Sequence, residues 1–132
     1  MKDNQLQIVR FEQAKRLKEL GFDWAVKTSY AIGCDNLRPE FRSYLHYNRG
    51  IRCNDTGKEL ISAPTVALAL KWIRDVKTDC VLSVCINQTS RKYFYIVDEH
   101  DDYYVGDDFN AYEAAESALL DELLNLLEQE TA

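Results

Sequence analysis

Basic residues are missing from the last quarter of this 132-residue chain. Residues 98–132 contain no Lys or Arg and twelve Asp and Glu, whereas residues 1–97 hold all sixteen basic residues against ten acidic ones. Glycine and proline are scarce, at five and two, and 46% of the chain is hydrophobic. That balance excludes collagen-like, low-complexity and largely disordered chains and fits one globular domain over 1–132. No apolar run approaches the roughly 18 residues of a membrane span. The opening stretch MKDNQLQIVR has no apolar segment, so no secretory signal is expected. There are only two histidines, and no nucleophile elbow, phosphate loop or dinucleotide fingerprint accompanies them. A non-enzymatic chain without cofactor or small-molecule substrate is the expectation.

The four cysteines, Cys34, Cys53, Cys80 and Cys85, do not follow zinc-ligand spacing with His46 or His100. Without a secretory context they read as reduced thiols of a cytoplasmic protein. Cys80 and Cys85 fall in one expected strand at an odd separation, which puts them on opposite faces.

Apolar residues at helical spacing predict a first helix over 11–20, closed by Gly21 as a C-terminal glycine with Phe22 folding back on the last turn. A second helix is expected over 64–77, with Pro64 in its first turn and Val66, Ala69, Leu70, Ile73 and Val76 as the stripe. A third is expected from Asn110, with Glu113 three residues on and a broad apolar face widened by Leu120, Leu124 and Leu127. Strands are expected over 25–32, 41–47, 51–53, 80–86, 92–97 and 103–105, with a hairpin loop at 87–91. The order suggests ββα followed by ββα. The fold class is therefore α+β: a small antiparallel sheet with about three helices packed on one face.

Several surfaces carry functional chemistry. If Phe94 and Ile96 face the helices, Tyr93 and Tyr95 stand on the open side of the sheet as an amphipathic aromatic contact surface. Leu120, Leu124 and Leu127 mark a self-association seam if they exceed what one core can cover. Arg38, Arg42, Arg49 and Arg52, interleaved with Phe41, Tyr44, His46 and Tyr47, are the residues for phosphate contact and base stacking. The acidic balance, with pI near 4.9, disfavours that nucleic-acid reading. The acidic end instead suits mimicry of a nucleic acid toward a basic groove. Asp98, His100 and Asp102 alternate as hard-ligand candidates, but without the central glycine and terminal glutamate of a calcium loop, so no metal is expected.

Three segments, FEQAKRLKELGFD (11–23), SAPTVALALKWIRDVK (62–77) and FNAYEAAESALLDELLNLL (109–127), together resemble a family of small uncharacterised proteins frequent in gut Bacteroidota, their prophages and their phages. Ala63-Pro64-Thr65 and Leu70-Lys71-Trp72 are its most specific parts, while residues 24–60 match poorly. The resemblance implies a bacterial or phage-encoded cytoplasmic protein and no particular activity. The reading that results is an accessory protein acting by protein–protein contact or self-association, with nucleic-acid binding as the alternative.

Overall fold

The computed structural model describes residues 7–32, 38–46, 48, 59–78, 80–99 and 102–131. Along the chain run α1 (Phe11–Glu19), β1 (Val26–Ala31), β2 (Glu40–His46), β3 (Leu60–Ser62), α2 (Val66–Trp72), a π-helical turn (Ile73–Lys77), β4 (Val81–Ile86), β5 (Tyr93–Glu99), β6 (Asp102–Val105) and α3 (Tyr112–Thr131). The protein is α+β, with antiparallel strands and three α-helices among the described residues. The strands form two three-stranded sheets, ordered β2-β1-β3 and β4-β5-β6. The repeated strand-then-helix order carries three strands each time, because β3 joins the first set and β6 the second. The chain divides into two compact units, Met1–Ala69 and Leu70–Ala132.

In the first unit, α1 ends as its sequence dictates. Gly21 takes φ +98°, where a side chain would be strained, and the Gly21 and Phe22 N–H groups donate to the carbonyls of Lys18 and Leu17 at 3.0 and 2.9 Å. This is the two-bond glycine closure of a helix, and it seats Phe22 at 1% exposure. At the other end the Arg10 N–H donates to Gln13 Oε1 at 2.9 Å, satisfying one of the helix's orphan donors. Tyr30 of β1 donates its hydroxyl to the Val9 carbonyl at 2.7 Å and meets Phe11 edge-on, centroids 5.5 Å apart. Burial pushes the Tyr30 phenol upward, opposed by the nearby charge of Arg10. Asn48 ties two segments together, donating to the Phe22 carbonyl at 3.0 Å and accepting from the Ser62 N–H at 2.8 Å.

Two elements here escape a periodicity argument. β3 is three residues long and buried at every position, so it shows no alternation and cannot be separated from loop by pattern. The Val9 and Val66 N–H groups donate to the Pro64 and Gln7 carbonyls, forming a short antiparallel bridge ahead of α1. That bridge fixes the entry to α2. Pro64 precedes the helix rather than opening it, and Thr65 is the cap, its Oγ1 accepting from the Leu68 N–H at 3.1 Å.

In the second unit, the helix expected to run straight to Lys77 widens after Trp72 into a π turn, closed by Thr78 N–H to the Ile73 carbonyl at 2.9 Å. Trp72 is 1% exposed and carries Lys77 Nζ over its ring at 5.6 Å. Lys71 and Asp75 form an exposed ion pair one turn apart. β4 and β5 make a regular hairpin, Val81 opposite Asp98 through to Ile86 opposite Tyr93, and β6 continues the meander. The turn is held by Asn87, whose Oδ1 accepts from the Thr89 and Ser90 N–H groups at 2.9 and 3.2 Å. α3 begins two residues beyond Asn110, and its first backbone bond runs from Ala115 N–H to the Ala111 carbonyl at 3.2 Å.

Candidate functional site

Register decides which side of the second sheet is available. Directly opposed residues of an antiparallel sheet share a face. One face therefore carries Leu82, Val84 and Ile86 with Tyr93, Tyr95 and Val97, and the other carries Val81, Ser83 and Cys85 with Phe94, Ile96 and Asp98. β6 adds Tyr104 to the first face and Tyr103 and Val105 to the second. α3 lies along β5 and β4. Tyr93 meets Tyr112 of α3 edge-on at 6.0 Å, and Val97 is fully buried. The Tyr95 phenol is pushed up first by burial and then by the negative charges of Glu122, Asp107 and Asp121, two of them on α3. The first face is thus the one under α3.

This reverses the expected orientation. Tyr93 and Tyr95 lie on the helix side, and Phe94 and Ile96 on the outer side. β5 is apolar or aromatic on both faces, so alternation alone gives no sign, and a shift of one residue exchanges them. The tyrosines suit the covered side because their rings bury area while their hydroxyls reach the edge. Gly106 makes room: a Cβ there would lie 2.2 Å from the Tyr95 ring. Gly106→Ala is expected to cost about 1–3 kcal/mol by overpacking. In a Tyr95→Ala background most of that cost should vanish, which a double-mutant cycle by urea unfolding would read.

The self-association seam is corrected too. Leu120 and Leu124 are fully buried and Leu127 is 6% exposed, alongside Ala115, Leu119 and Leu123. Two adjoining rows of α3 are interior, so Leu120, Leu124 and Leu127 belong to the core and offer no surface. One turn into the helix, burial raises the Glu116 carboxyl above its ordinary range, opposed by its hydrogen bond from Tyr112. On its solvent side α3 has a shallow depression of about 370 Å³ lined by Glu122, Asn125, Leu126, Glu128 and Gln129.

The outer face is an apolar surface left open among the described residues. Val81 is 60% exposed, Val105 57% and Tyr103 69%, and they flank the half-buried Phe94 and Ile96 of the central strand. Cys85 is a half-buried free thiol on this face. Cys80 precedes β4 and is buried, its sulfur 2.8 Å from the Thr78 hydroxyl.

The other candidates are placed only in part. Arg38 is exposed ahead of β2 and Arg42 lies on β2. Arg49, Arg52, Cys34, Cys53 and His100 lie outside the described residues. Among the described residues no group of three or more His, Cys, Asp or Glu is arranged to hold a metal ion. No helix among them is long and apolar enough to cross a membrane. No family model, curated protein or solved structure matches this chain.

Proposed function

We propose that this chain is a non-enzymatic interaction protein that works by protein–protein contact through the outer face of its second sheet. The cytoplasmic, phage- or mobile-element setting implied by the sequence resemblance is part of the same proposal. The observation that carries it is the apolar cluster on that face: Val105 lies directly across from Ile96, Phe94 precedes Ile96 on the same strand, Val81 is diagonal to Ile96 and Tyr103 stands two residues before Val105, and three of the five are more than half exposed, with Asp98 between Val81 and Tyr103. Isolated exposed apolar residues need no explanation, but a cluster of them on one sheet face is a common form of contact surface. The half-buried Phe94 and Ile96 supply the anchors and the exposed rim excludes water around them.

The test compares the wild-type chain with a Phe94→Ser/Ile96→Ser double variant and with a variant changed at Lys15 on the exposed side of α1. Each is used to capture proteins from a bacterial lysate, with capture quantified by mass spectrometry. Proteins held by the wild type and the α1 variant should fall about tenfold or more with the sheet variant, as loss of two anchor residues implies. Equal capture by all three, together with a wild type that does not self-associate, overturns the proposal. A low-salt shift of DNA or RNA that is lost with Arg38→Glu would transfer the function to the arginines.

A further inference from the structure

The outer face has a second property, which names its partner and rests on the interaction reading above. Along β5 it presents Phe94, Ile96 and Asp98 at every second residue. The alternation extends one residue back to Lys92, since the Asn87 N–H still donates to the Lys92 carbonyl at 2.8 Å. The row therefore reads cation, aromatic, aliphatic, anion. Lys92 and Asp98 are both exposed, and neither makes an ion pair among the described residues. Arg91 adds to the basic end, and Tyr103 stands beside Asp98 at the acidic end.

A row of this kind is complementary to itself when reversed. A two-fold axis lying in the interface, perpendicular to the strands, sets two copies face to face with their strands antiparallel. Lys92 of each copy then meets Asp98 of the other, and Phe94 meets Ile96. Tyr103 of each copy, one strand over from Asp98, comes beside the partner's Lys92, where its ring can receive the cation. Each contact occurs twice, as in any isologous pair. We propose that the occupant of this face is a second copy of the same chain, bound in this antiparallel, charge-matched register.

The size of the face sets the strength. At a spacing of about 4.8 Å, the six, seven and four residues of β4, β5 and β6 cover on the order of 250 Å² of sheet. A stable complex buries about 800 Å² on each partner. The dimer is therefore weak and rapidly exchanging, and it shows at high protein concentration.

Charge exchange tests the register directly. Sedimentation velocity from dilute to near-millimolar protein should show reversible dimerisation of the wild type. Lys92→Glu alone and Asp98→Lys alone each place two like-charged pairs in the dimer and should weaken it about tenfold. Mixing the two single variants should restore association, because in the mixed dimer both pairs are again opposite in charge. The Lys92→Glu/Asp98→Lys chain should also recover wild-type affinity. Circular dichroism of each variant should be unchanged, since both side chains are exposed.

A wild type that stays monomeric at near-millimolar concentration overturns the proposal. So does a mixture that associates no better than its components. Either result leaves the interaction face standing if the Phe94→Ser/Ile96→Ser variant still loses captured proteins. If that variant loses nothing and the wild type is monomeric, both readings fall.

Discussion

Leu124→Ala is expected to lower the free energy of unfolding by about 2–5 kcal/mol. Leu124 is fully buried on α3, and so is Leu120 one turn earlier. Truncation removes three carbons from water-free surroundings and leaves a cavity that the neighbouring Leu123 and Leu127 cannot fill without moving the helix. Whole domains are stable by only about 5–15 kcal/mol, so the loss is a large fraction of the total. Leu126, half-exposed on the same helix, provides the control, and its alanine variant should cost roughly 1 kcal/mol or less. Urea denaturation followed by circular dichroism separates the two. The midpoint for Leu124→Ala should fall steeply and that for Leu126→Ala only slightly. Equal small shifts would mean that the α3 seam is exposed after all and free to act as a contact surface.

Trp72→Ala should be at least as costly, at about 3–5 kcal/mol. Trp72 is the largest of the fully buried side chains, at 1% exposure, and it closes α2 just before the π turn. The sequence places it at the border of the helix's apolar stripe. Beyond Trp72, residues 73–77 follow a wider winding, so the face that a regular helix would assign to them is rotated. Val76, counted with the stripe by regular spacing, is 54% exposed for the same reason. Thermal unfolding measures the loss of stability. Trp72→Phe, which keeps an aromatic ring there, should lose less than half as much as Trp72→Ala. If Trp72→Ala unfolds within a degree or two of the wild type, the side chain is not in the core.

The two corrections on the second sheet have different origins. Leu120, Leu124 and Leu127 pose a question of quantity: the sequence shows a broad apolar face but not how much of it the rest of the chain covers. Tyr93 and Tyr95 pose a question of sign. KYFYIV alternates between two rows that are both apolar enough to be buried, and nothing local prefers one. The interaction surface consequently carries Phe94, Ile96, Val81 and Val105 in place of the tyrosines. One signal in the sequence could have pointed there. Lys92 and Asp98 bracket Phe94 and Ile96 at even spacing, and an exposed charge at each end of a row argues that the row faces water.

By itself the sequence determined what depends on short-range physics. It gave the antiparallel α+β class, the glycine closure at Gly21 and Phe22, the β4–β5 hairpin around Asn87 and the apolar breadth of α3, because capping, turn chemistry and periodicity act within a few residues. Tertiary structure decided what depends on distant partners. It separated the strands into two sheets, drew the three residues of β3 into one of them, and turned Tyr95 toward α3 over the bare Gly106. Burial is a property of two surfaces, and a strand with two apolar faces carries no mark of which one its neighbours will cover.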